Sequence, residues 1–386
     1  MKSSPSHSGL VFASACLSML IFGMGLITLG SVSIGLQEKF QLDKIAAGSL
    51  FSILPFGIVT GSLLFGPACD RYGYKLFLII SCILMFIGFQ GIAFAPSLFL
   101  LKCCVFLFGM GGGALNGASN ALVADISTKN KAANLSLLGV FFALGALGMP
   151  FILGSLHSKF DFQSILAVIS FIPATAIFLF LITRFPDAKH GHGFPIGQGI
   201  KLLKDPFLLT IAFFLFCQSS FEGIINNWTT MYLSQKINAS EQNALFGLSL
   251  FVTGMAVVRL LIGSVFRDLS QKSILAFSFL LMFMGAFVLW SASAYSFAVL
   301  GLIALGAGLA AGFPIMLGFI GHAYASISAT AFGVVLTIAL IGNMLINYLM
   351  GILAEYYGIQ YMTTLLLILT AIMAVLAFRI LNTTKN

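Results

Sequence analysis

The sequence predicts an all-α integral membrane protein whose twelve transmembrane helices form two pseudo-symmetric six-helix halves. The first observation is composition: 59% of the 386 residues are hydrophobic and only 8% are charged, whereas soluble domains carry about 25% charged residues. The second is a mean hydropathy of +1.06, with apolar runs of about 20 residues, the length an α-helix needs to cross a bilayer. The third is a polar central stretch flanked by two copies of one motif.

Charges, prolines and turn residues divide the chain into twelve predicted spans. The first is too long for the apolar core of a signal peptide, so we expect it to be retained. The spans cover 10–36, 45–68, 75–95, 98–124, 132–156, 162–184, 207–234, 242–266, 272–292, 295–322, 328–355 and 360–380.

The distribution of lysine and arginine predicts the orientation. If both termini are cytoplasmic, thirteen basic residues fall in inner segments and five in outer ones, while Arg259 lies inside the eighth span. This asymmetry satisfies the positive-inside rule. We therefore expect a multi-pass protein of a cell membrane, most simply a bacterial inner membrane, in contact with the lipid bilayer. We also expect the protein to be a monomer.

A polar stretch rich in glycine, proline and lysine separates the predicted halves. The predicted units are residues 1–184, a cytoplasmic central loop at 185–206, and residues 207–386. A repeat supports this division, because "GPACDRYGYK" (66–75) after the second span returns as "GSVFRDLSQK" (263–272) after the eighth. Two similar halves are typical of transporters that work by alternating access, with the site between the halves.

Several function classes are excluded by what the sequence lacks. The six cysteines are scattered through apolar runs without metal-ligand or redox spacing. No constellation typical of an enzyme or a metal site is present, and we expect no cofactor. The net charge of +8 is explained by topology, so we expect no nucleic-acid partner. A membrane receptor would normally add a soluble domain or a long tail, and this chain shows neither.

The loop between the second and third spans identifies a family. Its pattern Gly66-x-x-x-Asp70-Arg71-x-Gly73-x-Lys75 resembles the signature loop of the major facilitator superfamily in residue types, spacing and position. The degenerate second copy exchanges the two signs as Arg267 and Asp268. The resemblance implies that the loop latches the cytoplasmic side in the outward-facing state. The alternative is that Arg71 and Lys75 only set the topology.

Arg259 is assigned to the same cytoplasmic gate. An arginine inside a span needs a partner, so a structural or gating salt bridge is the simpler interpretation and contact with a solute is the alternative.

The seventh span contains the most polar segment of any span. Gln218, Glu222 and Asn226 follow each other at intervals of four residues, which places them on one helix face. Asn227 and Trp228 come next, and the indole offers a flat surface for a sugar ring. Glu222 is the only acid near the middle of a span, and an intramembrane carboxyl is by default functional. We predict that these five residues bind a solute.

Other spans add further candidate ligands. They are Asn116 and Asn120 in the fourth span, Thr28 in the first and Asn343 in the eleventh. In this superfamily the first, fourth, seventh and tenth helices line the central cavity, which the resemblance extends to this chain. The alternative for Asn343 and its neighbour Asn347 is a hydrogen bond between helices, worth about 0.6 kcal/mol per contact.

Within the superfamily, the sequence is similar to the branch of fucose, galactose and glucose–proton symporters. The similarity is carried by "NGASNALVA" (116–124), "NLSLLGVFFALGALGMP" (134–150), "FEGIINNW" (221–228) and "GFPIML" (312–317). The proton-coupled members carry acids in the first and fourth helices, where this chain has Gly30 and Asn116. If H⁺ is the coupling ion, Glu222 is therefore the central candidate for carrying it.

The predicted function is secondary active or facilitative transport of a small polar solute, a sugar or a similar neutral metabolite. Amide side chains supply both donors and acceptors for hydroxyl groups, whereas a strongly anionic solute would need more cations than Arg259 alone. The alternative is a proton-coupled exporter of hydrophobic or cationic compounds, which could use Glu222 as its acid.

Overall fold

The computed structural model describes residues 5–127, 131–186, 202–266, 269–324 and 327–383. Over these ranges the fold consists of fifteen helices, without strands. They are α1 (Pro5–Ser31), α2 (Ser33–Phe40), α3 (Lys44–Tyr72), α4 (Tyr74–Phe94), α5 (Leu98–Ile126), α6 (Lys131–Leu156), α7 (Phe162–Ile169), α8 (Phe171–Ile182), α9 (Pro206–Ile237), α10 (Glu241–Ser264), α11 (Gln271–Ser291), α12 (Tyr295–Leu309), α13 (Gly312–Ala323), α14 (Ser328–Tyr356) and α15 (Tyr361–Thr383).

Twelve stretches of the described residues are helical, long and apolar enough to cross a membrane. The predicted all-α membrane fold with twelve spans is confirmed, and most span edges agree within a few residues. The chain is a multi-pass membrane protein.

Three predicted spans are interrupted rather than continuous. The first ends at Ser31, before α2; the sixth breaks at Ser170, between α7 and α8; and the tenth breaks at Ala310 and Ala311, between α12 and α13. Pro173 and Pro314 lie just after the last two breaks. Proline lacks the amide hydrogen that would continue the helical ladder, which accounts for these two breaks. Hydropathy does not depend on that hydrogen, so it predicts both spans as continuous.

The chain divides into two compact units. The first comprises Met1–Gly35 and Ile53–Phe194, and the second comprises Leu36–Ser52 and Pro195–Asn386. In the first unit α1 packs along α5 and α6, and α4 packs along α5, α7 and α8. In the second unit α9 packs along α14, α15 and α10, while α11 packs along α12 and α15.

The start of α3 is bound to α14 within the second unit. The Lys44 backbone amide donates to Oε2 of Glu355 at 2.9 Å, and Lys44 Nζ donates to the carbonyl of Ala354 at 3.1 Å. Two turns further on, Ser52 Oγ donates to the carbonyl of Met344 at 2.7 Å. These bonds explain why residues 36–52 belong with the second unit.

Glycines allow helix backbones to come into direct contact. A Cβ at Gly145 of α6 would collide with the carbonyl oxygen of Leu20 in α1, and a Cβ at Gly23 of α1 would collide with the carbonyl of Phe142. Small residues at such crossings are a main source of helix association in membranes. Gly148, one turn beyond Gly145, has nothing within 4 Å of the position its Cβ would take.

An amide network ties α9 to α14. Oδ1 of Asn347 accepts from Nδ2 of Asn227 and from Nε1 of Trp228, both at 3.1 Å. Its Nδ2 donates to Asn343 Oδ1 at 2.8 Å, and Asn343 in turn donates to the carbonyl of Ser219 at 3.0 Å. Asn347 is fully buried and both ends of its amide are used, so it is the centre of the contact between the two helices.

Gly145→Ala should destabilise the protein by about 1–3 kcal/mol, because the added methyl group meets a backbone carbonyl that cannot move aside. Gly148→Ala is the matched control in the same helix and should be neutral or slightly stabilising, since alanine favours a helix by roughly 1 kcal/mol over glycine. The melting temperatures of both purified variants test this; equal values would contradict the close crossing of α1 and α6.

Asn347→Leu should destabilise the protein by about 1–3 kcal/mol, because it leaves two buried donors, on Asn227 and Trp228, without an acceptor. Thr337→Val is the control in the same helix, since the Thr337 hydroxyl bonds only to the carbonyl of Gly333 in its own helix. The measurement is again the melting temperature in detergent. An Asn347→Leu variant as stable as Thr337→Val would show that the network does not hold α9 to α14.

Candidate functional site

The long helix α9 carries the candidate site. Asp205 caps its first turn by accepting from the amides of Phe207 and Leu208 at 2.9 and 3.3 Å, and Pro206 occupies the first position. Asn238, with φ of 53°, ends the helix in the left-handed conformation that asparagine tolerates. Residues at both ends therefore fix the limits of the 32-residue helix, and the polar side chains in its middle are not required to begin or end it.

Glu222 lies midway along α9 and is partly buried. Within the described ranges, its carboxylate makes no hydrogen bond. The guanidinium of Arg259 on α10 acts electrostatically on this carboxylate, although the two side chains form no direct ion pair. Arg259 is expected to need a partner, and the structure puts its guanidinium within electrostatic range of Glu222, a relation that the sequence does not indicate.

Unpartnered buried polar atoms concentrate on α9 and α10. In the part of the chain that the structure describes, six buried side-chain polar atoms have no hydrogen-bond partner, and all six lie on these two helices. They are Gln218 Oε1, Asn226 Oδ1, Asn227 Oδ1, Thr229 Oγ1, Ser249 Oγ and Arg259 Nε. Buried polar groups in proteins are nearly always satisfied, and an unsatisfied cluster indicates a place where water or a ligand binds.

Gln218 has a structural task besides its predicted one. Its Nε2 donates to the carbonyl of Leu309 at 3.0 Å, where α12 ends and the carbonyls lose their helical partners. Its Oε1 lies against Gly312, at the start of α13. The side chain also borders a cavity of about 10 Å³, room for one water molecule. Gln218 therefore supplies a hydrogen bond to a carbonyl at the end of α12, where the tenth span is interrupted.

Asn227, Trp228 and Asn343 belong to the amide network of α9 and α14. Trp228 is fully buried, and the edge of its ring contacts Phe51, with centroids 5.2 Å apart. The structure thus favours the interhelical role that the sequence left open for Asn343. It also shows Trp228 engaged at its nitrogen and packed along its ring.

The predicted residues of the first unit differ in accessibility. Thr28 is fully buried and donates to the carbonyl of Met24 at 2.7 Å within its own helix. Asn120 is exposed, and its Nδ2 donates to the Asn116 side chain at 3.0 Å and to the Asn116 carbonyl at 2.9 Å. The two amides on α5 form a polar ladder as their spacing predicts, and their solute contact stays a prediction.

The signature loop is only partly described. Gly66, Asp70 and Arg71 lie in the last turns of α3, where the side chains are outside the described part of the structure, and Arg267 and Asp268 are also outside it. Gly73 has φ of 80°, the left-handed conformation that glycine adopts without strain. Lys75 Nζ donates to the carbonyl of Leu181 near the end of α8 at 2.6 Å. The latch stays a prediction.

One contact beside this loop is not predicted by the sequence. Tyr74 Oη donates to Oδ2 of Asp125 at 2.7 Å and joins the start of α4 to the end of α5. The available signal was a tyrosine inside the motif and a carboxylate at the end of the fourth span. Nothing in the spacing of Tyr74 and Asp125 along the chain indicates that they meet.

Comparisons with known proteins agree with the fold. The D-xylose transporter of Levilactobacillus brevis is 27% identical over 131 residues, which are 34% of this chain and 29% of that protein. The 4-hydroxybenzoate transporter PcaK of Pseudomonas aeruginosa is 26% identical over 174 residues, 45% of this chain and 38% of PcaK. The chain thus aligns with about a third of the length of these curated relatives.

Among solved structures, a variant of the nucleoside transporter NupG superposes with a TM-score of 0.81 at 16% identity, over 97% of this chain and 99% of that one. At this identity the likeness shows the fold alone. The family model of the Major Facilitator Superfamily matches residues 12–238 and 211–386, which cover nearly the whole sequence. The resemblance of the 66–75 loop is therefore confirmed, and the chain belongs to the Major Facilitator Superfamily.

Proposed function

We propose that the protein is a secondary transporter that moves a small polar solute, a sugar or a metabolite of similar polarity, across a cell membrane by alternating access. The observation that carries the proposal is the partly buried carboxylate of Glu222 in the middle of a span, beside the buried polar atoms of α9 and α10 that lack partners. Polar groups without partners in a span are costly and mark solute or ion pathways.

Within the second unit, Glu222 and Asn226 are the best candidates for contact with the solute. They share one face of α9, and neither side chain makes a hydrogen bond within the described ranges. Gln218, Asn227, Trp228 and Asn343 hold helices together, so we assign them to positioning that face. Asn116, Asn120 and Thr28 remain proposed solute ligands of the first unit.

The relatives support a transporter rather than an enzyme, and leave the solute class broad. Their names state D-xylose, 4-hydroxybenzoate and a nucleoside as the compounds transported. All of these carry hydroxyl groups, which amide and carboxylate side chains can bind. We further propose that H⁺ is the coupling ion, that both termini are cytoplasmic, and that the protein works as a monomer.

Glu222→Gln should abolish solute accumulation driven by a pH gradient while it preserves exchange of solute across the membrane, because glutamine keeps the shape and the hydrogen bonds but cannot carry a proton. The measurement is uptake of labelled sugars and nucleosides into proteoliposomes, with and without a protonophore. Glu38→Gln, which changes an exposed acid outside the spans, is the control and should behave as wild type.

Unchanged gradient-driven accumulation in Glu222→Gln would contradict the coupling role. Failure of every polar solute, combined with proton-driven efflux of lipophilic cations, would instead favour the multidrug-type exporter.

A further inference from the structure

Arg259 is a permanent charge whose hydrogen-bonding capacity is not used up. A guanidinium stays protonated at any physiological pH, and a charge inside a span must be compensated. In the described ranges its Nε–H is buried and has no acceptor. This donor is an unpartnered polar atom of a charged side chain, and its natural partner is an anion.

The register of α9 and α10 brings Glu222 to the height of Arg259. The helices are joined by residues 238–240 and therefore run antiparallel. Leu233 meets α10 at Gly247, where a Cβ would lie 2.6 Å from the Leu233 Cδ1. Glu222 precedes Leu233 by eleven residues and Arg259 follows Gly247 by twelve. At 1.5 Å per residue both are about 17 Å from that contact.

The face of α9 toward α10 is polar. Glu222, Asn226 and Thr229 precede Leu233 at the spacing of a single helix face. Asn226 Oδ1 and Thr229 Oγ1 are both buried without partners, as is Ser249 Oγ on α10. The seam between α9 and α10 therefore offers one cation at one end and several groups that can bind hydroxyls along its length.

Arg259 is the charged group on a neighbouring helix that acts electrostatically on the Glu222 carboxylate. The helices packed against α9 carry other titratable groups. They include Lys44 on α3, Glu241 on α10, Lys272 on α11, Tyr295 on α12, His322 on α13, Tyr348, Glu355 and Tyr356 on α14, and Tyr361 and Arg379 on α15.

We propose that Arg259 binds the carboxylate of a small, hydroxyl-bearing monocarboxylic acid, and that the acid binds together with a proton on Glu222. The inference rests on the proposed transport function and narrows its solute class. Ionised Glu222 compensates Arg259 in the empty site. Once Glu222 is protonated, the carboxylate of the solute takes over that task, so the net charge of the site is the same before and after loading.

The number of charges selects a monoacid. One guanidinium compensates one carboxylate, and a second carboxylate on the solute would remain unpaired in the span. The free Nε–H, with a neighbouring Nη–H, forms the two-pronged edge that matches a carboxylate. Lysine at this position would provide the charge without the matching geometry.

Ligand-induced shifts in melting temperature of the purified full-length protein test the proposal. The probes are D-gluconate, D-galacturonate and 4-hydroxybenzoate, each matched with an uncharged counterpart: D-glucose, D-galactose and 4-hydroxybenzyl alcohol. At least one acid should stabilise the protein more than its counterpart does. The shift should be larger at about pH 6 than at about pH 8, because binding takes up a proton. A dicarboxylate, D-glucarate, should not stabilise it.

Three variants separate the roles. Arg259→Lys should weaken binding of the acid at least about tenfold, and Glu222→Gln should keep binding and lose its pH dependence. Because either charge alone would be uncompensated in the span, the double variant Glu222→Gln/Arg259→Gln provides an uncharged seam that should fold as wild type and bind no acid. Its melting temperature without ligand reports the fold independently.

Two outcomes overturn the inference: no stabilisation by any of the three acids at about pH 6, or equal binding of an acid by wild type and by the double variant. If sugars are accumulated with protons while no acid binds, the proposed transport function stands and this inference fails. If an acid binds as described but no solute is transported, the site is right and the transport function is wrong.

Discussion

A polar side chain inside a membrane span must find a partner, because no water is available in the hydrocarbon to replace one. This constraint divides the polar residues of α9 into two sets. Gln218, Asn227 and Trp228 bond to neighbouring helices and hold α9 in its unit. Glu222 and Asn226 share the helix with them but make no such bonds to the residues that the structure describes. The first set explains how the helix is positioned, and the second set keeps polar atoms that a solute or an ion could bind.

The division also explains why the sequence predicted the helix better than the role of each residue. A four-residue spacing correctly places Gln218, Glu222 and Asn226 near one face, but it does not say which helix lies opposite. Gln218 meets the broken end of α12, and that break depends on Pro314, almost a hundred residues away. Long-range pairings of this kind are set by packing, which hydropathy and spacing do not encode.

Other features were accessible from the sequence for clear physical reasons. Twelve spans could be predicted because the bilayer imposes one length on every crossing segment. The sequence indicates Asn347 only as a neighbour of Asn343 on one helix face. Its partners in the amide network, Asn227 and Trp228, lie more than a hundred residues earlier, so their contact could not be predicted. That Glu222 and Arg259 lie at the same height depends on the register of α9 against α10, which spacing along the chain does not give.

The three-residue connection between α9 and α10 has a mechanical consequence. Because so short a link joins the two helices and Leu233 contacts α10 at Gly247, we expect them to move as one rigid body, so any rotation of that body would carry both charges together. The separation between Glu222 and Arg259 would then be invariant through a transport cycle. In such an arrangement the charge balance between α9 and α10 would change when a solute or a proton binds there, and not when the two helices move.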